Sequence, residues 1–261
     1  MRAVIAGTGA LPAHLAGLSD PPLICPLEGF APTLPDSVET HPFRLEQLGT
    51  LLNELESRGV RDVCFAGAMA RVPVDPSRID AATLPLVPRI MAALQSGGDD
   101  AALRAAAALF EERGFTLHGA HDWAPDLLPP EGVLSGALTP DVEASAAQAM
   151  TLLEQLSPAD LGQGCVLLGT RVMAVEAAPG TDWMLGSLAG GEARGGLFAK
   201  APKAGQDRRF DLPAIGPHTV DGAAKAGLSA IVIQAGGVMV LDRSGTIAAA
   251  QEAGITLWVR P

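Results

Sequence analysis

Apolar positions along this chain recur with two periods, and the switches between them mark out its elements. Residues 3–6 form a short apolar run that enters Gly7-Thr8-Gly9-Ala10-Leu11-Pro12, and a helix is expected from about residue 14. This strand, glycine-rich turn and helix make a Rossmann-like opening. A second strand is expected at 22–27. Leu45, Leu48, Leu51, Leu52 and Leu55 share one helical face, so 45–58 reads as a helix that Gly59 ends. Residues 60–66 follow as a strand, 81–95 and 99–113 as helices punctuated by Gly98 and Gly114, and 115–119 as a short strand.

Proline and glycine then crowd residues 123–140, which read as a linker. Past it, Thr139-Pro140-Asp141 is a helix-opening signal for 141–156. Strands are expected at 164–168, 172–177, 196–199, 230–233, 237–241 and 256–259, and helices at 181–188, 219–226 and 244–253. The pattern predicts an α/β protein of two domains. One is a Rossmann-like parallel-sheet domain over 1–130; the other is an α/β domain over 131–261 without a glycine-rich opening.

Composition narrows the function. The 261 residues are 48% hydrophobic and 18% charged, with a formal net charge of −11. That is a globular chain, and its acidic surface argues against nucleic acid as a partner. Cys25, Cys64 and Cys165 stand far apart, which excludes a disulfide framework and gives no zinc spacing. Cys64 and Cys165 lie in apolar runs and are expected to be buried thiols. No apolar run approaches the roughly 20 residues of a bilayer span, and the N-terminus lacks a secretory apolar region. A cytoplasmic protein is expected.

Against that acidic background, Lys200, Lys203, Arg208 and Arg209 fall within residues 198–217, together with Asp207 and Asp211. Cations and carboxylates on proline-broken backbone suit a phosphate site. Pro202 fixes the chain between Lys200 and Lys203, so both ammonium groups are expected towards one phosphate. Glu176 ends an apolar strand, where a carboxylate is costly unless paired or used. Thr181 is a helix N-cap candidate, with Asp182 beside it. Glu176, Asp182 and Asp211 make a carboxylate set for Mg²⁺, or another divalent cation such as Mn²⁺.

In the first half, Gly9, Ala10 and Leu11 offer backbone N–H groups to an anion. Pro12 replaces the last glycine of a dinucleotide fingerprint, and Glu28 is the nearest acidic residue after the second strand. Gly67 ends another expected parallel strand. Asp99 is a cap for the following helix, leaving Asp100 for a sugar hydroxyl. His121 and Asp122 are expected on extended chain, facing opposite ways. Gln163 sits in a Gly-Gln-Gly turn. No nucleophile elbow, zinc-protease or Walker motif is present.

Taken in order, I-A-G-T-G-A-L-P, F-A-G, G-D-D-A-x-L-R, G-A-H, L-G-Q-G, V-E-A-x-x-G-T-D, L-F-A-K-A-P-K and D-L-P-A-I-G-P resemble the LpxI-type UDP-2,3-diacylglucosamine pyrophosphatases over essentially the whole chain. The resemblance implies hydrolysis of a nucleotide-sugar pyrophosphate to UMP and 2,3-diacylglucosamine 1-phosphate (lipid X) in lipid A synthesis. It also implies Mg²⁺ dependence, two domains with the substrate between them, and Asp211 as the key carboxylate. Lys200 and Lys203 would be catalytic, and Asp211 and Glu176 metal ligands. Gly9, Ala10, Leu11, Gly67, Asp99, Asp100, His121, Gln163, Thr181 and Asp182 would bind substrate. A peripheral contact with the inner membrane would bring the chain to its lipid substrate. Thr8 departs from the family's Gly-Gly-Gly turn, and Ala68 replaces an Asn. The alternatives are a nucleotide-sugar oxidoreductase or transferase, and a non-catalytic nucleotide-sugar or lipid-binding module.

Overall fold

The computed structural model describes residues 1–69, 74–95, 99–159, 161–210 and 212–261. The chain divides into two compact units, Met1–Ala124 and Pro125–Pro261.

In the first unit, β1 (Arg2–Ala6), α1 (Leu11–Ala16), β2 (Leu23–Pro26), α2 (Leu48–Ser57), β3 (Asp62–Ala66), α3 (Val87–Gln95), α4 (Asp99–Glu112), β4 (Thr116–His118) and α5 (Ala120–Trp123) follow one another. The strands form an all-parallel sheet in the order β2-β1-β3-β4. Apart from Arg2 and Asp62 at their starts, β1, β2 and β3 are buried along their length, as expected of a parallel sheet covered on both faces. Leu48, Leu51, Leu52 and Leu55 form the buried stripe of α2. Gly59 follows that helix at φ +74, the left-handed conformation glycine adopts without a side-chain clash. Phe110 meets Phe65 edge-on, with ring centroids 5.3 Å apart, and clamps α4 to the sheet.

The second unit runs β5 (Gly132–Ser135), α6 (Pro140–Leu156), β6 (Gly164–Leu168), β7 (Arg171–Val175), α7 (Gly180–Ser187), β8 (Leu197–Lys200), β9 (Ala214–Ile215), α8 (Pro217–Lys225), β10 (Ala230–Gln234), β11 (Met239–Val240), α9 (Arg243–Glu252) and β12 (Thr256–Arg260). Its main sheet is mixed, in the order β5-β12-β10-β8-β6-β7. The period-2 pattern splits its side chains between two cores. Cys165, Leu167, Leu197, Ala199, Ala230 and Val232 pack on Ala146, Ala149 and Leu153 of α6. Val166, Phe198, Ile231 and Ile233 face α7, α8 and α9 on the other side. The strand pair β9–β11 stands apart from this sheet.

Several expectations shift. The first helix starts at Leu11, because Pro12 suits a first turn. The helix expected from residue 81 is an α-helix only from Val87, after a 3₁₀ turn at Leu84–Leu86. The 123–140 stretch is more than a linker, since it holds β5, an edge strand paired antiparallel with β12. Residues 120–123 are helical where extended chain was expected.

Candidate active site

Strand β8 ends in Lys200, in register with Gly164 of β6 and Ile233 of β10. Alternation along β8 puts Lys200 on the same face as Phe198, the face covered by α7. An ammonium there needs partners, since Lys200 is only 4% exposed. It has two. Its Nζ lies 3.2 Å from Oε2 of Glu176 and donates to the hydroxyl of Thr181 in the first turn of α7. The Phe198 ring is 6.0 Å away.

Glu176 follows β7 and is itself buried. Its backbone is held on both sides, donating to Gly164 O at 2.8 Å and accepting from Gly162 N–H at 2.9 Å. Its side chain fills the space that side chains at those two glycines would need. A Cβ on Gly162 would stand 2.5 Å from Cβ and Cγ of Glu176, and one on Gly164 would stand 2.6 Å from its Oε2 and 2.8 Å from the Phe198 ring. The Gly-Gln-Gly turn is therefore a cradle for the carboxylate. Sequence reasoning missed that role, although the glycine pair flanking Gln163 at the start of an apolar strand was its signal.

Thr181 does not cap its helix. Pro179 holds the N-cap position without a side-chain hydrogen bond, and the Thr181 hydroxyl accepts from Lys200 instead. Asp182 is exposed beside it.

Beyond Lys200 the chain leaves the sheet as a tethered loop. Ala201 N–H donates to Gln163 O at 2.9 Å, and Gln163 Nε2 reaches Gln206 Oε1 at 2.8 Å. The same Gln206 oxygen accepts from Lys203 N–H at 3.0 Å. Pro202 packs so close to Gly237 that a Cβ there would lie 2.8 Å from its Cδ. Arg208 donates to the carbonyl of Gly236. Arg209 is clasped by Asp207, with Nη2 2.7 Å from Oδ2, and lies over the Phe210 ring. That clasp neutralises one of the expected cations within the loop. Asp211 lies outside the described residues. Beyond it, Met239 N–H bonds to Pro213 O, and β9 pairs with β11.

Glu176 is one of the two residues expected to hold a metal ion. Its Oε2 already faces an ammonium, and a dication on that oxygen would face the same charge. Among the described residues, no three His, Cys, Asp or Glu side chains converge to hold an ion.

In the first unit, Gly7 N–H bonds to Ala66 O, and Thr8 and Ala68 exchange both backbone hydrogen bonds at 2.9 Å. Gly67 sits between them at φ +92, where a Cβ would come 2.5 Å from Thr8 O. The amides of Gly7, Thr8 and Ala68 are thus committed to joining the two loops. Gly9 follows at φ +101, ahead of Ala10 and of Leu11 at the start of α1. Asp99 and Asp100 begin α4, and their side chains lie outside the described part. His121 and Asp122 share α5. Asp122 accepts from Gly119 N–H at 2.8 Å, with His121 Nε2 3.7 Å from its other oxygen. Glu28 is held by Arg44 at 2.7 Å.

Fold and site together define a two-unit α/β protein whose mixed-sheet unit holds a buried lysine at the ends of three strands. Residues 1–127 match the LpxI N-terminal domain and residues 130–258 the LpxI C-terminal domain, so the chain belongs to the LpxI family. A relative from Caulobacter vibrioides (strain ATCC 19089 / CIP 103742 / CB 15), a UDP-2,3-diacylglucosamine pyrophosphatase LpxI, is 36% identical over 266 residues. The match covers 97% of this chain and 94% of the relative.

Proposed function

We propose that this protein hydrolyses the pyrophosphate of UDP-2,3-diacylglucosamine, releasing UMP and 2,3-diacylglucosamine 1-phosphate in lipid A synthesis. The observation that carries the reading is Lys200, a buried cation fixed by Glu176 and Thr181 at a strand end, in a chain of this family. Water adds to one phosphorus and gives up a proton to solvent, the bridging P–O bond breaks, and the departing phosphate oxygen keeps the electron pair. Lys200 and Lys203 stabilise the charge that develops on the phosphoryl oxygens. Gln163 and Thr181 orient substrate oxygens, and Asp182 marks the exposed rim.

The reaction uses Mg²⁺ or Mn²⁺, which prefers one or two carboxylates together with substrate phosphates. Asp211 is the residue assigned to hold it. When bound, the ion neutralises charge on the phosphates. No helix among the described residues is long and apolar enough to cross a membrane; the lipid substrate is met by peripheral contact with the inner membrane face.

The test is a single-turnover assay with UDP-2,3-diacylglucosamine and Mg²⁺, run in ¹⁸O-labelled water. UMP release by the wild type, lowered about a hundredfold or more in Asp211→Ala with binding retained, is the expected result. The label in either product identifies the attacked phosphorus. A folded wild-type chain that yields no UMP with Mg²⁺, Mn²⁺ or Co²⁺ would overturn the reading.

A further inference from the structure

We infer that Glu176 is a positioning residue for Lys200 and not a metal ligand, and that Gly162 and Gly164 are glycines because they hold its carboxylate in place. The inference rests on the reaction proposed above and assigns work within its site.

Three observations converge. First, the carboxylate and the ammonium are both buried, and 3.2 Å separates Oε2 from Nζ. Lysine has a flexible four-carbon stem, so an unrestrained Lys200 would sample several rotamers. Glu176 on one side and the Thr181 hydroxyl on the other leave its Nζ a single direction in which to meet substrate.

Second, Glu176 is itself immobilised. Its backbone N–H and C=O are tied to Gly164 and Gly162; its side chain occupies the room that a Cβ on Gly162 would take, and shares with the Phe198 ring the room that one on Gly164 would take. A ligand recruited only when substrate brings a metal has no need of such a cradle. A carboxylate whose task is to hold a neighbouring ammonium at one point does.

Third, Glu176 and Lys200 leave little net charge between them. A phosphate arriving at Lys200 shares its ammonium with Glu176, so the ammonium binds the anion loosely in the ground state. Charge that grows on the phosphoryl oxygens during P–O cleavage then strengthens the contact. Interactions that strengthen in the transition state raise kcat and leave KM little changed.

The experiment compares wild type, Glu176→Gln, Gly162→Ala and Gly164→Ala in the full-length chain. The lysines of this chain are Lys200, Lys203 and Lys225, so ¹⁵N-lysine labelling yields an assignable side-chain spectrum. Lys200→Arg and Lys203→Arg provide the assignment. In wild type, the Lys200 ammonium should appear as a slowly exchanging signal that Mg²⁺ alone leaves in place. Glu176→Gln should broaden or shift that signal. It should lower kcat about tenfold or more, with KM and the half-saturating Mg²⁺ concentration changed less than about twofold. Either glycine variant should reproduce this phenotype with Glu176 intact.

A rise of about tenfold in the Mg²⁺ requirement, with the Lys200 signal unmoved, would show a metal ligand and overturn the inference. So would unchanged kcat in a folded but less stable Glu176→Gln, which is the mark of a purely structural pair. If the wild type releases no UMP, the proposed reaction fails. The ammonium signal then still reports separately whether Glu176 fixes Lys200.

Discussion

Lys200 Nζ and Glu176 Oε2 stand 3.2 Å apart at the buried ends of three strands, and neither has another oppositely charged partner among the described residues. A buried pair of this kind adds little net stability, because desolvation offsets the attraction, but breaking it from one side is costly. Lys200→Met should destabilise the chain by about 3–5 kcal/mol in urea unfolding, by stranding the carboxylate. Adding Glu176→Gln should recover part of that loss while activity stays absent. Full stability in Lys200→Met alone would show that the carboxylate reaches water.

Gly49 in α2 lies against the 82–83 backbone. A Cβ there would come 2.2 Å from Ala82 O, and Gly49 N–H already donates to the Thr83 hydroxyl at 2.8 Å. Gly49→Ala should therefore lower stability by about 1–3 kcal/mol through overpacking, against the usual gain of alanine over glycine inside a helix. A denaturant midpoint that rises would refute the contact. Turnover per folded molecule should not change.

The three thiols are buried, and burial pushes the Cys25, Cys64 and Cys165 values from 9.0 up to about 12. Neutral thiols thus favour the folded state fully below pH 9. Between pH 9 and 12 the unfolded chain has released these protons and the folded chain retains them. Stability then falls by about 1.4 kcal/mol per pH unit for each thiol. Because the chain has no Tyr, thiolate absorbance near 240 nm can be followed without phenolate overlap. The folded protein should show no step near pH 9, and a disulfide reagent should react only after denaturant is added. A stoichiometric reaction in buffer at neutral pH would contradict this.

Asp242 holds φ 41, the only positive value among the described non-glycine residues, while its side chain accepts from Gly245 N–H at 3.1 Å at the start of α9. Asn tolerates both the left-handed backbone and the capping role. Asp242→Asn should be nearly neutral, and Asp242→Ala should cost about 1–2 kcal/mol. Thermal melts of the pair would decide it, and equal melting temperatures would remove the cap from the account.

Much of the architecture was legible because the second unit's central strands are short continuous apolar runs, buried on both faces. Phe198 and its neighbours Leu197 and Ala199 divide between the two cores as the pattern requires. The strand at 132–135 was hidden by the prolines around it, and β9 by its length of two residues between Pro213 and Gly216. At the site, residue types announced themselves but their partners did not. Nothing local says that Lys200 will meet Glu176 and Thr181, 24 and 19 residues away, because that pairing is set by sheet register. Thr181 looked like a cap because its position was right. The lysine, not the helix end, uses its hydroxyl. Likewise Arg209 reads as a phosphate cation in the sequence, whereas in the fold Asp207 holds it.

The register that places Lys200 between Gly164 and Ile233 also fixes when the site can exist. Its floor joins chain segments that translation delivers at well-separated times, and β8 is flanked by an antiparallel neighbour on one side and a parallel one on the other. The parallel neighbour arrives only after a crossover through α8. Contacts of such long sequence separation form slowly and cooperatively. A nascent chain ending before β10 would carry Glu176, Thr181 and Lys200 in sequence yet lack the strand that closes one side of β8. The arrangement of Lys200, Glu176 and Thr181 is therefore a late product of folding, acquired when the second unit is complete.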